Sequence, residues 1–258
     1  ENVIRMATAV EMLHVATLIH DDTVDEAATR RGKITVSNAW GQHTAILLGD
    51  YVFAASATYV CDTGNIKVIR RFSETIMELS RGQLQEMAFS HKLEAALKEY
   101  QERIYFKTAS LFQTSGESGA ILSGAPEEHI KCLTDYSRNI GLAFQVIDDI
   151  LDFCGNSQTV GKPIGNDLKN GIVTLPTIYA MENDILRNRV AEFFRSTSML
   201  ETPDELIKNI TSSGAIERSY EYATSLAQKA RNSLSPLPNT PHRESLEELT
   251  QFVVSRTF

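Results

Sequence analysis

A chain of 258 residues with 42% hydrophobic content can bury a core at the upper end of what one domain holds. Its formal charge of −8, with no basic stripe, argues against a nucleic-acid surface. The cysteines Cys61, Cys132 and Cys154 lack CxxC spacing and suggest neither a disulfide framework nor a zinc site. No apolar run approaches the roughly 18–20 residues of a membrane span, and no signal-peptide pattern opens the chain. The expectation is a soluble protein in a reducing, cytoplasmic setting, or an organellar one if a targeting peptide lies upstream of Glu1.

The first element is helical. In "VIRMATAVEMLHVATLIHDD" the apolar residues Met6, Val10, Leu13 and Leu18 recur at the three-and-four spacing of one helix face. Similar runs follow at 45–61, 66–88, 93–122, 128–153, 172–196, 203–209, 214–232 and 243–256. Sustained period-2 alternation is absent, so the pattern predicts an all-α, single-domain helical bundle. The expected loops are "RRGKITVS", "CGNSQTVGKPIGNDLKNG" and "SPLPNTPHRE".

The pattern D-D-x-x-D occurs twice, at Asp21/Asp22/Asp25 and at Asp148/Asp149/Asp152, each time at the end of an apolar helical run. Residues i and i+4 stand one turn apart on the same helix face, so Asp21 with Asp25, and Asp148 with Asp152, each present two carboxylates together. Clustered anions repel unless water or cations neutralise them. For one such motif a solvated acidic helix end is an equally good reading. Twelve aspartates in 258 residues, however, give about 0.03 chance occurrences of the pattern, so two are hard to assign to accident.

Oxygen donors of this kind suit Mg²⁺, which keeps several waters and takes one or two carboxylates together with substrate phosphates. The cations nearby fit that picture: Arg30 and Arg31 follow the first motif, Lys162 lies in the loop after the second, and Lys107 sits in the otherwise apolar "YFKTASLF". By itself a lysine in such a helix is more often one that snorkels to solvent. Aspartates bridged by Mg²⁺, with arginine and lysine around them, make a clamp for a diphosphate.

These residues, in this order, resemble the trans-prenyltransferases, the polyprenyl diphosphate synthases. The likeness runs through "HDDTVDEAATRRGK", "LLGDYVFA", "SRGQLQE", "KTASLF", "GLAFQVIDDILDF", "GKPIGNDLKNGIVTLPTIYA" and "LEELTQFVVSRTF". It implies an isoprenoid-synthase bundle over residues 1–258, with a central active-site cavity and a homodimeric state. It also implies condensation of isopentenyl diphosphate with an allylic diphosphate, farnesyl or geranylgeranyl. By resemblance, Asp21, Asp25 and Asp148 match Mg²⁺ ligands, with three ions held once the diphosphate is bound, and Asp22, Asp149 and Asp152 match ligands or their supporting partners. Arg30, Lys107, Thr108 and Lys162 match positions that hold the allylic diphosphate, and Gln145 lines the same site. Arg31 and His14 match positions for isopentenyl diphosphate, and Asp167 one that supports metal-bound waters.

Two departures stand out. The family's basic Gly-Gly-Lys-Arg type loop, which contributes to isopentenyl diphosphate binding, has no counterpart in the twenty residues before Asp21. Either that site is impaired or, as is expected, the loop and the opening helices lie upstream of Glu1. Ile172 stands where many members have lysine. Product length depends on how far the growing tail runs along the helix before the first motif. Ala16 and Thr17 are small where short-product members carry aromatics, which opens the path towards Met12 and Leu13. The expectation is a product longer than geranylgeranyl, hexaprenyl to decaprenyl.

Three rivals are weaker. A non-catalytic or partner-dependent subunit of a heteromeric synthase would not need both motifs, "RRG" and Lys107. A phosphohydrolase built on His20-Asp21 would need histidines that His43, His91, His129 and His242 do not supply in acidic context. A terpene cyclase would not carry the second motif.

Overall fold

Helix α1 (Asn2–Val24) buries the stripe Met6, Ala9, Leu13 and Ala16, the spacing of one helix face, and packs mainly on α3 (Gln42–Cys61). The computed structural model describes residues 1–93, 97–154, 164–195 and 202–256. These fall into two compact units, one formed by Glu1–Glu74 with Thr114–Ile130, the other by Thr75–Gln113 with Lys131–Phe258. The fold is all-α; among the described residues the only strands are Thr29–Arg30 (β1) and Lys33–Ile34 (β2).

In the first unit α1 and α3 run antiparallel, pinned at both ends. Asn2 donates to the Thr63 carbonyl (3.3 Å) and Arg5 to the Asp62 carbonyl (3.1 Å). At the opposite end the His20 ring lies against α3, with Nε2 3.2 Å from the Ile46 carbonyl and 3.4 Å from Asp50 Oδ1. Gly49 makes room for it, since a Cβ there would sit 2.2 Å from Nε2. The segment expected as the loop "RRGKITVS" is a tight antiparallel hairpin that pairs Thr29 with Ile34 and Arg30 with Lys33. Its two turn residues, Arg31 (φ 50°) and Gly32 (φ 74°), are both left-handed, as a type I′ turn requires. The period-2 signal was too short to register as strand. Thr35 then caps the short α2 (Val36–Trp40).

In the second unit the long helix α7 (Glu127–Cys154, from Lys131 on) supplies Tyr136, Ile140, Ala143, Val146, Ile147 and Ile150 to a core shared with α5 (Leu97–Ile104), α9 (Leu175–Ala180), α12 (Ala215–Ser233) and α13 (Pro241–Ser255). A second cluster joins Leu168 of α8 (Asn166–Lys169), Val190 of α10 (Asp184–Arg195) and Leu206 and Ile210 of α11 (Pro203–Thr211). The run expected as one helix over 172–196 is broken in two. Pro176 sits in the first turn of α9, and the Asn183 side chain caps α10 by accepting from Ile185 and Leu186 N–H.

The run expected over 93–122 is broken too. Between α5 and α6 (Ser110–Leu122) the turn Tyr105–Ala109 is π-helical, a local widening often found where function is placed. Two glycines press neighbouring helices onto it. A Cβ on Gly82 of α4 (Ile66–Phe89) would lie 2.7 Å from the Lys107 backbone nitrogen, and one on Gly141 of α7 would lie 2.8 Å from Ala109 Cα.

Contrary to the sequence expectation, α1 and α3 are, by length and composition alone, apolar enough to cross a membrane. Core helices of soluble proteins and signal sequences pass the same test; these two helices pack on each other and bury 22% of each apolar window.

The Gly82 contact yields a stability test. Because the clash is with backbone, Gly82→Ala is expected to lower unfolding free energy by about 1–3 kcal/mol despite alanine's better helix propensity. Urea denaturation followed by circular dichroism measures it; an unchanged or raised midpoint would show that the helices are free to separate.

Candidate functional site

The sequence-predicted residues gather in two groups, one in each unit. In the first, α1 carries Asp21 half-buried, Asp22 buried and Asp25 exposed at the helix C-terminus, where the Asp25 N–H still bonds the Asp21 carbonyl at 2.8 Å. The helical turn therefore persists through the motif, and the two outer carboxylates share a face as their spacing requires. Asp22 points elsewhere: its Oδ1 accepts from Arg30 Nε at 2.7 Å, which ties the hairpin to the helix end. Asp22 was expected as a ligand or as a supporting partner; in the fold its carboxylate is engaged by Arg30.

His14 lies half-buried on the same helix. Burial holds its pKa below the ordinary histidine value; Glu11 works against this, while Arg31 and Arg30 add to it. The three basic side chains therefore share one local field. Leu13 and Ala16 are fully buried in the face that packs within the unit, whereas Met12 and Thr17 are half-buried, and the Thr17 hydroxyl donates to the His14 carbonyl at 2.8 Å.

In the second unit each carboxylate of the motif on α7 has a distinct partner. Asp148, partly exposed, accepts from Arg256 at 2.8 Å, and the Arg256 guanidinium lies 4.2 Å from the centre of the Phe144 ring. Asp149 is buried and accepts from Tyr100 Oη at 2.6 Å and Gln145 Nε2 at 2.9 Å. Asp152 accepts the backbone N–H groups of Asn166 and Asp167 at 3.1 and 3.2 Å, so it caps α8 and fastens the segment after the motif.

The π turn brings Lys107 and Thr108 to this group. Lys107 pairs with Glu86 of α4, and the Thr108 hydroxyl donates to Gln145 Oε1 at 2.6 Å. Burial pushes the Asp149 pKa up to about 7, against the pull of its bonds from Tyr100 and Gln145. Burial also pushes Asp167 up to about 8, helped by Asp152, Asp149 and Glu86 and opposed by Lys107. A cation bound beside these carboxyl groups would favour their ionised forms. Ile172, the departure from lysine, is half-buried and bonds the Asp167 carbonyl through its backbone N–H at 2.8 Å. Lys162, expected to reach the diphosphate, lies outside the described residues.

Sequence reasoning missed Tyr100, Glu86 and Arg256. Tyr100 stands seven residues before Lys107, but nothing in that spacing marks it as the partner of a carboxylate on another helix. Arg256 is 108 residues from Asp148, and a lone arginine near a helix end reads as surface charge.

Among the described residues no three His, Cys, Asp or Glu side chains converge into a ready-made metal cage. Each motif instead offers a few carboxylate oxygens beside cationic side chains, a donor set for a hard cation that keeps waters and shares phosphate oxygens. Hard-cation carboxylates, basic side chains and a hydroxyl suit a diphosphate ester, and among the described residues no activated serine or cysteine nucleophile accompanies them.

The chain is similar to known proteins. The polyprenyl synthetase family model matches residues 1–210. A prenyl transferase of Synechocystis sp. is 39% identical over 98% of this chain and 77% of its own length. Component 2 of heptaprenyl diphosphate synthase from Bacillus subtilis is 37% identical over 98% of this chain and 72% of its own. The crystal structure of heptaprenyl diphosphate synthase from Staphylococcus aureus superposes with a TM-score of 0.95 at 34% identity, covering all of this chain and 81% of that one. With two aspartate motifs on an all-α frame and a family match over most of its length, the chain belongs to the polyprenyl synthetase family and is a prenyltransferase.

Proposed function

We propose that the protein is a Mg²⁺-dependent, long-chain polyprenyl diphosphate synthase that condenses isopentenyl diphosphate with an allylic diphosphate, farnesyl or geranylgeranyl. The observation that carries this is that each aspartate motif ends a helix near side chains of the kind that hold phosphate: Arg30 and Arg31 in one unit, Lys107 and Thr108 in the other. The names of the heptaprenyl relatives support a product of six to ten isoprene units. A single functional domain over residues 1–258, working as a homodimer, completes the proposal.

Asp21 and Asp25 of the first motif and Asp148 of the second would hold the metal, three ions with diphosphate bound. Asp152 and Asp167 contribute through the segment that the Asp152 cap fixes. Mg²⁺ held by these carboxylates would supply positive charge against the diphosphate as it departs. Arg30, aimed by Asp22, and Lys107 with Thr108 grip the allylic diphosphate as its C–O bond ionises. His14 and Arg31 hold isopentenyl diphosphate, whose double bond attacks the allylic carbon. A proton then leaves the new C–C bond's neighbour, with the departed diphosphate as its acceptor. The small side chains Ala16 and Thr17, followed by Met12 and Leu13, set the ceiling on tail length.

The B. subtilis relative's name, component 2, favours a second reading in which the chain works with a different subunit. The two differ in whether the purified chain turns over alone.

Incubation with Mg²⁺, farnesyl diphosphate and radiolabelled isopentenyl diphosphate is expected to give a ladder of products ending at six to ten isoprene units. A ladder stopping at geranylgeranyl length would keep the enzyme and sink the roles given to Ala16 and Thr17. Activity arising only when a second subunit is added would select the heteromeric reading.

Chelation by EDTA is expected to abolish incorporation, with recovery on adding Mg²⁺. Asp21→Ala should lower kcat by about 10²–10³-fold, the usual cost of losing one element of charge stabilisation. Turnover that persists in excess EDTA, or an unimpaired Asp21→Ala enzyme, would remove the metal from the proposal.

A further inference from the structure

Tyr100 is fully enclosed, at 0% exposure, in the main core of the second unit. A buried tyrosine needs a partner for its hydroxyl, and a backbone carbonyl is the simplest one. Tyr136, in the same core, takes that course and donates to the Leu246 carbonyl at 2.8 Å. Tyr100 instead donates to Asp149 Oδ2 at 2.6 Å, the middle carboxylate of the second motif. Its ring is held in place by Arg103, whose guanidinium lies 5.7 Å from the ring centre and donates to the Val173 carbonyl at 2.5 Å.

From Asp149 the hydrogen bonds run in one direction. Its second oxygen, Oδ1, takes Gln145 Nε2 at 2.9 Å. The amide nitrogen of Gln145 is therefore turned towards Asp149 and its oxygen away, and that oxygen accepts the Thr108 hydroxyl at 2.6 Å. Thr108 follows Lys107 on the π turn that Gly82 and Gly141 hold between helices. Flipping the Gln145 amide would set its oxygen against the carboxylate, whereas the Thr108 hydroxyl can accept as well as donate, so it is the Asp149 end that fixes the amide and thereby makes Thr108 the donor.

We infer that Tyr100 is a positioning residue for the allylic-diphosphate subsite: it holds Asp149, Asp149 sets the Gln145 amide, and Gln145 sets Thr108 beside Lys107. Asp149 thereby serves as an internal strut, with both oxygens engaged inside the protein, and the metal-holding role falls to its neighbour Asp148. The inference rests on the synthase reading of this site and adds to it a residue outside both aspartate motifs.

The test uses the whole chain and the variants Tyr100→Phe, Thr108→Val and their double. Tyr100→Phe removes only the hydroxyl. Affinity for farnesyl thiolodiphosphate, an unreactive allylic analogue, is measured by calorimetry with Mg²⁺. Each single variant is expected to weaken it roughly tenfold. The double should be no weaker than the poorer single, because both cut one chain of bonds. KM for isopentenyl diphosphate should stay at the wild-type value. Paramagnetic resonance of Mn²⁺ titrated with inorganic pyrophosphate should count the same number of bound ions in Tyr100→Phe and Asp149→Asn as in wild type, and fewer in Asp148→Asn.

Multiplying effects in the double variant would overturn the inference. So would a Tyr100→Phe enzyme that loses thermal stability yet binds the analogue as wild type does, or loss of Mn²⁺ in Asp149→Asn equal to that in Asp148→Asn. A wild-type chain that binds no analogue would instead refute the synthase reading itself, and the Tyr100 role with it.

Discussion

The contact on which the second group of site residues depends is backbone against backbone. Gly82 and Gly141 let α4 and α7 lie directly on the turn that carries Lys107 and Thr108, at distances no side chain would allow. Tight packing of this kind stores no polar chemistry of its own, yet it decides where polar chemistry happens. With the turn wedged between two helices, Glu86 from one side meets Lys107 and Gln145 from the other meets Thr108. The widened π turn is what the wedge leaves room for, and it changes the direction in which consecutive side chains leave the helix.

A second regularity concerns how the chain tolerates so many carboxylates. In each aspartate motif the middle residue is buried and committed to a protein partner: Asp22 to Arg30, Asp149 to Tyr100 and Gln145. A buried carboxylate without such partners would be costly, and each of these is met by charge-assisted hydrogen bonds. The outer residues differ between motifs. Asp25 faces solvent, whereas Asp148 faces Arg256 and Asp152 caps the next helix. The same five-residue pattern therefore combines internal bracing with outward carboxylates. Helix periodicity separates the two, since Asp22 and Asp149 stand about 100° around the helix from the residues before them.

Much of this was legible in the sequence. The helix of α1 and the i,i+4 placement of Asp21 with Asp25 are local properties, and they hold. The buried face keeps Met6 and Leu13 but is completed by Ala9 and Ala16, with Val10 and Leu18 only half-buried, because close helix packing selects small side chains over apolar ones. What escaped was set by tertiary contact. The π turn lies where Gly82 and Gly141 admit neighbouring helices, and a glycine at 82, far off in the chain, gives no local sign of that. The Tyr100–Asp149 bond and the Arg256–Asp148 pair join residues 49 and 108 positions apart. The break at Pro176 was signalled locally, but hydrophobic period outweighed it in the reading of 172–196. The hairpin at Thr29–Ile34 is shorter than any window in which alternation can be recognised.

Arg31 brings a consequence for anyone who would engineer this protein. It is a non-glycine residue held at φ 50°, beside Gly32, in a turn where glycine or asparagine would sit more comfortably. The left-handed backbone costs an ordinary side chain on the order of 1 kcal/mol. A search guided by folding stability alone would therefore drift towards replacing this arginine, and would be rewarded for it. The charge removed would be one of the few beside the first motif, in the field shared with His14 and Arg30. On the role proposed for Arg31 in holding isopentenyl diphosphate, thermal robustness and turnover pull in opposite directions at this position.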